Sequence, residues 1–211
     1  MMDKKNSILS KKDILDAAEK TLRRFGPNKT SVTDVAKELN ISHGTIYRHF
    51  PNKVALKAAV TERWLEEEII APLKRLTHSE ESAPDLLLKE FIFALCSLKR
   101  RHAENDEEMF KMYAEVTVES TEIVENHVNY IIEMLSLIIE KGIHAKVIKD
   151  INHNNALSRS IFYATTRFHH PSHAYEWKSE TIDEELDLVW ELIKEGFVVS
   201  KAEHKKQAEN K

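Results

Sequence analysis

The chain holds one cysteine, four glycines and five prolines in 211 residues. Each scarcity removes a class of protein. With Cys96 alone, no internal disulfide framework can form. Cys96 follows the apolar run Phe91-Ile92-Phe93-Ala94-Leu95, so packing as a small hydrophobe is expected. There is no Gly-rich phosphate loop and no Gly-x-Ser-x-Gly nucleophile elbow. No Asn-Gly or Asp-Gly hairpin signal occurs, and no alternating strand run stands free. No segment approaches the roughly 20 apolar residues that span a bilayer, and Met1-Met2-Asp3-Lys4-Lys5-Asn6 lacks an apolar signal core. A cytoplasmic protein without membrane contact is expected. The 35 acidic residues are spread as on solvated helix faces, so neither an enzyme nor a cofactor is expected.

What is present is helical. The few glycines and prolines sit where helices should end. Gly26 and Pro27 close a first helix that begins at Ser10. Its Ser10–Asp13 pair has capping-box spacing, and Ile14, Leu15, Ala17, Ala18, Leu22 and Phe25 form its apolar stripe. Thr30 to Leu39 reads as a second short helix. Ser31 and Asp34 cap it, and Val32, Val35, Ala36 and Leu39 are its buried stripe. Asn40 tolerates the left-handed backbone that ends a helix. Ile41 plugs the corner, and Ser42 starts a third helix that Pro51 stops.

That third helix, Ser42 to Phe50, has two unlike faces. Ile46 and Phe50 lie four apart and point inward. Gly44, Thr45 and Arg48 share another side, with Tyr47 and His49 flanking them. Helix, short turn and second helix make the unit whose second helix enters the major groove of DNA.

These residues resemble the TetR family of bacterial transcriptional regulators. The resemblance rests on Ile14, Ala17, Ala18, Phe25 and Gly26, on Thr30 to Ala36, and on Leu39 and Ile41. It continues through the run Thr45-Ile46-Tyr47-Arg48-His49-Phe50, then Lys53 and Leu56. It covers about the first quarter of the chain. Asn40 departs from the family's usual Gly there. The resemblance implies His43, Gly44, Thr45 and Arg48 at base edges. It implies Tyr47, His49 and Lys53 at phosphates, and Ser42 with the same DNA-facing set. Ser31 and Thr33 would clamp the neighbouring backbone. Tyr47 packed on the first helix, and His49 as a surface residue, are the plainer alternatives.

Charge divides the chain as the motif does. Residues 1–60 hold 12 Lys+Arg against 6 Asp+Glu, whereas residues 61–211 hold 19 against 29. A basic head on an acidic body is the footprint of a protein that grips phosphates with one end. The expected division is a helix-turn-helix domain at 1–60 and a helical regulatory and dimerisation domain at 61–211. The fold class is all-α, with about nine helices.

The body helices are expected from Asn52 to a break at Pro72, near 84–103 with Pro84 in the first turn, and at about 106–118. Three more follow: 120–141 ended by Gly142, 152–168 closed by Pro171, and 181–200 capped by Thr181 and Glu184. Ile131 to Ile139 is apolar nearly all round and should be a central pillar. The charged tail after Lys201 is expected to fray.

A palindromic site calls for a two-fold partner. Ile161, Phe162 and Phe168 with Leu186, Val189, Trp190, Ile193 and Phe197 are the expected homodimer residues, unless those stripes face only their own core. A small-molecule effector is implied, and Trp64, Cys96, Met109, Phe110, Met112, Tyr113, Tyr130 and Tyr163 are its expected pocket, although such residues also serve as plain core. His169-His170-Pro171-Ser172-His173, with Asp150, His153 and His127, invites a metal reading; Pro171 breaks the face, and solvated or capping histidines are preferred. The functional expectation is a dimeric repressor of a palindromic double-stranded DNA operator, released by an inducer. The alternative is a dimeric DNA-binding protein without an inducer, governed by a protein partner or acting architecturally.

Overall fold

A computed structural model describes residues 9–151 and 154–199. His153, Ser200 and the tail after it lie outside the described residues. Among the described residues every extended element is absent except one isolated antiparallel bridge, Ile148 with Val198.

The head comprises α1 (Lys11–Phe25), α2 (Val32–Glu38) and α3 (His43–Tyr47). Both expected capping boxes are formed: Ser10 with Asp13, and Ser31 with Asp34. Each cap of this kind is worth about 1 kcal/mol. Ile14, Ala17, Ala18 and Leu22 of α1 are buried, as are Val32, Val35 and Ala36 of α2 and Ile46 of α3. Phe25 departs from the expected stripe. It is 46% exposed, with the Arg24 guanidinium 5.0 Å from its ring centre, because the chain turns away at Gly26. Gly26 has φ +80, and a Cβ there would meet the Glu108 side chain at 2.5 Å.

The turn between α2 and α3 is a complete Schellman motif. Asn40 sits at φ 55; its N–H bonds the Lys37 carbonyl at 3.1 Å, and the Ile41 N–H bonds that of Ala36 at 3.0 Å. Ser42 stands at the N-cap of α3 but makes no side-chain cap bond, contrary to expectation. Its hydroxyl lies 3.0 Å from that of Thr45 instead.

The body begins with one helical rod rather than a helix broken at Pro72. It runs through α4 (Lys53–Leu65), a single wide π-turn (Glu66–Ile70) and α5 (Ala71–Thr77). A proline ring crowds the carbonyl four residues back and offers no N–H. The wide turn just before Pro72 absorbs that conflict. Then come α6 (Pro84–Asn105), α7 (Glu107–Glu119), α8 (Thr121–His144), α9 (Asn154–Ala164) and α10 (Ile182–Lys194).

Helix α8 is the central pillar. Ile131, Ile132, Leu135, Ile138 and Ile139 are buried, and α8 packs on α4, α5, α6, α7 and α9. Gly142 does not end it. The helix continues to His144, and Gly142 leaves room for Ile148, whose side chain a Cβ would overlap. Helix α9 stops at Ala164, short of the expected 168. The buried Thr165 hydroxyl bonds the carbonyls of Ile161 (3.0 Å) and Phe162 (3.1 Å), and three 3₁₀ turns follow. The expected Thr181–Glu184 box is not formed; Thr181 donates its hydroxyl to Glu185 at 2.7 Å. Helix α10 ends at Lys194, and the chain then pairs its residues 197–199 with 147–149.

Candidate DNA-binding face and body cavity

The outward face of α3 is built by its inward one. Ile46 and Phe50 are buried, which turns His43, Gly44, Tyr47 and Arg48 into solvent. Arg48 reaches back to the Thr45 hydroxyl at 3.3 Å, and that hydroxyl also meets Ser42. These contacts hold the guanidinium along α3 with its remaining donors open. The His43 and Tyr47 rings meet edge to face at 6.1 Å, so Tyr47 borders the α3 face. Gly44 faces open space: a methyl group there would meet only the Ser42 hydroxyl, at 3.8 Å. Nothing inside the protein requires glycine at 44. Thr33 is exposed beside this face, whereas the Ser31 hydroxyl is engaged with Asp34 at 2.5 Å. Asn52 caps α4, accepting from the Ala55 N–H at 2.8 Å, and Lys53 follows in its first turn.

An ion network fastens head to body. Arg63 of the rod binds Asp16 (2.5 Å) and Glu19 of α1, and Arg23 binds Glu19 and, at 2.9 Å, Asp106. Asp106 also accepts from the Trp64 indole at 3.3 Å. Lys57 of the rod binds Glu115 of α7 at 2.6 Å.

Within the body lies a cavity of about 170 Å³. Its walls come from Leu65 of α4, Lys99 of α6, Tyr113 and Val116 of α7, Ile123 and His127 of α8, Phe162 and Tyr163 of α9, and His169 and His170 beyond it. Of the expected pocket residues, the structure brings Tyr113 and Tyr163 to these walls. Tyr130 is half-exposed in a groove between head and body. Trp64, Cys96, Met109, Phe110 and Met112 are buried and do not line this cavity. Trp64 packs on His102 and Tyr113, and burial pushes the Cys96 thiol up.

Sequence reasoning missed Lys99. The signal was there, because Leu88, Ile92, Leu95, Cys96 and Lys99 continue one buried stripe. The Lys99 side chain is 1% exposed, its Nζ is 3.0 Å from His127 Nε2 and 4.0 Å above the Tyr113 ring. Burial pushes this amine well below its ordinary value. Burial, and then the neighbouring Lys99, do the same to His127. His169 stacks on Phe162 and, by burial, is pushed down to about 3.

The histidine run disperses. His169 Nε2 lies 3.2 Å from the Phe162 carbonyl, His170 meets the Ser172 hydroxyl at 2.7 Å, and His173 meets Glu176 at 2.8 Å. Among the described residues, no three His, Cys, Asp or Glu side chains are grouped to hold a metal ion.

The expected dimer stripe faces inward. Ile161, Phe162, Phe168, Leu186, Trp190 and Phe197 are buried within the subunit, and Val189 and Ile193 are half-buried. Arg100–Asp183 and Lys89–Asp187 pairs tie α10 to its own α6, which fixes that orientation. The side of α10 turned outward carries Leu188 (69% exposed) and Leu192 (77%). On α9 the exposed residues are Asn155, Ala156, Arg159, Ser160, Tyr163 and Ala164.

A helix-turn-helix head with a solvent-facing second helix, joined by one rod to a helical body with an internal cavity, defines a DNA-binding transcription regulator. Residues 14–60 match the family model described as bacterial regulatory proteins, tetR family. Residues 84–190 match the one described as tetracyclin repressor-like, C-terminal domain. The chain belongs to the TetR family. It is 31% identical over 150 residues to the HTH-type transcriptional regulator YhgD of Bacillus subtilis, covering 68% of this chain and 74% of that one. Its fold is similar to SmeT, the repressor of the Stenotrophomonas maltophilia multidrug efflux pump SmeDEF, with TM-score 0.60, 16% identity and 92% of both chains covered. It is also similar to the regulator FadR of Bacillus subtilis in complex with stearoyl-CoA, with TM-score 0.58, 18% identity, and 87% of this chain and 97% of that one covered. Among the described residues no helix is long and apolar enough to cross a membrane.

Proposed function

We propose that the chain is a cytoplasmic repressor that binds a palindromic operator as a homodimer and leaves it when a small molecule enters the body cavity. The observation that carries this reading is the α3 face. His43, Gly44 and Arg48 stand exposed, and Thr45 half-exposed, on a helix whose buried residues are Ile46 and, just beyond it, Phe50. Arg48 can donate two bonds to one guanine, worth about 1–3 kcal/mol of discrimination. Tyr47, His49, Lys53 and Thr33 hold phosphates, which set register without reading sequence. Ser31 contributes through its cap on α2.

The functional division falls near residue 60, with the DNA-binding part before it and the regulatory part after. The rod crosses this boundary, and that continuity is what makes coupling feasible. Leu65 lines the cavity on the same rod that begins with Lys53 beside α3. Lys57–Glu115 and the Arg63–Glu19–Arg23–Asp106 chain carry displacements of α4 and α7 to α1. An effector shifts the two head positions only by its differential affinity for them. The cavity favours this reading over control by a protein partner or an architectural role. The fold's likeness to a regulator solved with stearoyl-CoA supports it.

For the dimer, we place the contact on the outward faces of α9 and α10, through Leu188 and Leu192 with the Ala156–Ser160–Ala164 row. An isologous contact must use residues that are open in the single subunit. The test is fluorescence anisotropy with an inverted-repeat duplex taken from upstream of the gene. The unmodified chain prefers the repeat over a scrambled duplex. Arg48→Ala binds both alike, near the unmodified chain's scrambled-duplex affinity. Retained preference in Arg48→Ala would refute the base-reading role.

A further inference from the structure

Lys99 is a buried amine with no carboxylate beside it among the described residues. Among the described residues no Asp or Glu lines the cavity, while one lysine and three histidines do. The titratable groups around the amine are His127 on α8, Tyr113 on α7, His102 on its own helix, and His169 and His170 beyond α9. Every wall therefore offers a neutral or basic group.

The hydrogen-bond ledger is also incomplete. An amine offers several bonds, and the only one found for Lys99 among the described residues goes to His127 Nε2. When Lys99 donates to Nε2, the neutral ring carries its proton on Nδ1. That buried Nδ1 has no partner among the described residues. The Nδ1–H points to the side of the ring away from Lys99. It is therefore the spare Lys99 donors that await an acceptor, in a pocket that also presents Tyr113, Thr117, Ile131, Phe162 and His169.

Resting on the cavity as effector site, we propose that its ligand is a compact monocarboxylate whose carboxylate is held by Lys99, with His127 keeping the amine in place. An apolar cavity of about 150 Å³ accommodates benzene, so the room here fits one ring or a chain of about six to eight carbons. Charge balances simply. The acid binds as its anion and pairs with the Lys99 ammonium. Burial disfavours that charged form in the empty cavity, and the anion restores it, so binding draws a proton toward Lys99. No bond to carbon forms or breaks.

Titration calorimetry on the full chain tests this with benzoate and hexanoate, and with benzyl alcohol and hexanol as neutral counterparts. Each is run at pH 7.5 in two buffers of different ionisation enthalpy. The expected result is carboxylate binding with net proton uptake, and alcohol binding without it. Lys99→Met, with its fold checked by circular dichroism, should lose about 30-fold in carboxylate affinity and keep the alcohols. Proton uptake by the unmodified chain needs no variant. Binding of benzoate alone or hexanoate alone upholds the proposal and tells ring from chain. Alcohols binding as tightly as carboxylates, or Lys99→Met retaining the carboxylate, overturns the proposal and leaves the cavity as effector site. No binding by any of the four overturns both.

Discussion

Gly44 is the residue whose role is least explicable from inside the protein. Glycine within a helix costs up to about 1 kcal/mol relative to alanine, and the space beside Gly44 is open. Under the proposed function, the missing side chain serves a DNA surface that approaches from outside. Gly44→Ala should melt at the same temperature or slightly higher while its operator affinity falls. Equal affinity in anisotropy titrations would show that no backbone comes close there. Lys53 has the opposite character. Lys53→Ala should weaken all duplexes alike and lower the slope of log affinity against log salt by about one. Histidine chemistry in the body sets a third expectation. His169 is buried and pushed down to about 3 from an ordinary 6.5. Below pH 6.5 the unfolded chain binds a proton there that the folded one refuses, so stability is lost as pH falls from 6.5 toward 3. Calorimetric melting should fall across that window, and His169→Gln should flatten the dependence.

Among the elements, those with both a cap and a stripe were legible in the sequence. Helices α1 and α2 carry Ser-x-x-Asp caps and apolar spacing. Both caps formed as read, while α2 spans Val32–Glu38 rather than Thr30 to Leu39 and Phe25 leaves the α1 stripe. Asn40 was legible because few residues accept its backbone. The failures have physical causes. Pro72 was read as a break, but a π-turn accommodates a proline that local sequence alone condemns. Helix α9 ends at Ala164, and the Thr165 hydroxyl beyond it bonds the carbonyls of Ile161 and Phe162, which apolar spacing does not foretell. In α10 the stripe was found and its destination was not. Periodicity says which residues share a face. It does not say that Ile182, Leu186 and Trp190 bury inside their own subunit, where the Arg100 and Lys89 ion pairs join α10 to α6. The consequence is testable on this element. Leu188→Asp with Leu192→Asp should leave the subunit folded and convert a dimer to a monomer at micromolar concentration. Sedimentation of an unchanged dimer would place the contact elsewhere.

At the scale of the whole molecule, charge and shape agree. The basic part of the chain is the part that carries α3, and the acidic part encloses the cavity. The exposure of His43, Gly44, Tyr47 and Arg48 was legible, because Ile46 and Phe50 mark the inward side of α3; that this face reads DNA is the proposal. The cavity was not legible. Its basic lining is Lys99, His127, His169 and His170, and sequence pattern treats a lysine on a buried stripe as an exception rather than as a lead. The decisive measurement is the set of duplexes that the protein retains from a random library over successive rounds of binding. The expected result is an inverted repeat, with half-sites about one helical turn or a small multiple apart, whose conserved guanine disappears when Arg48→Ala is used. An enriched set without two-fold symmetry, or one that Arg48→Ala enriches equally well, would contradict a paired α3 reading the major groove.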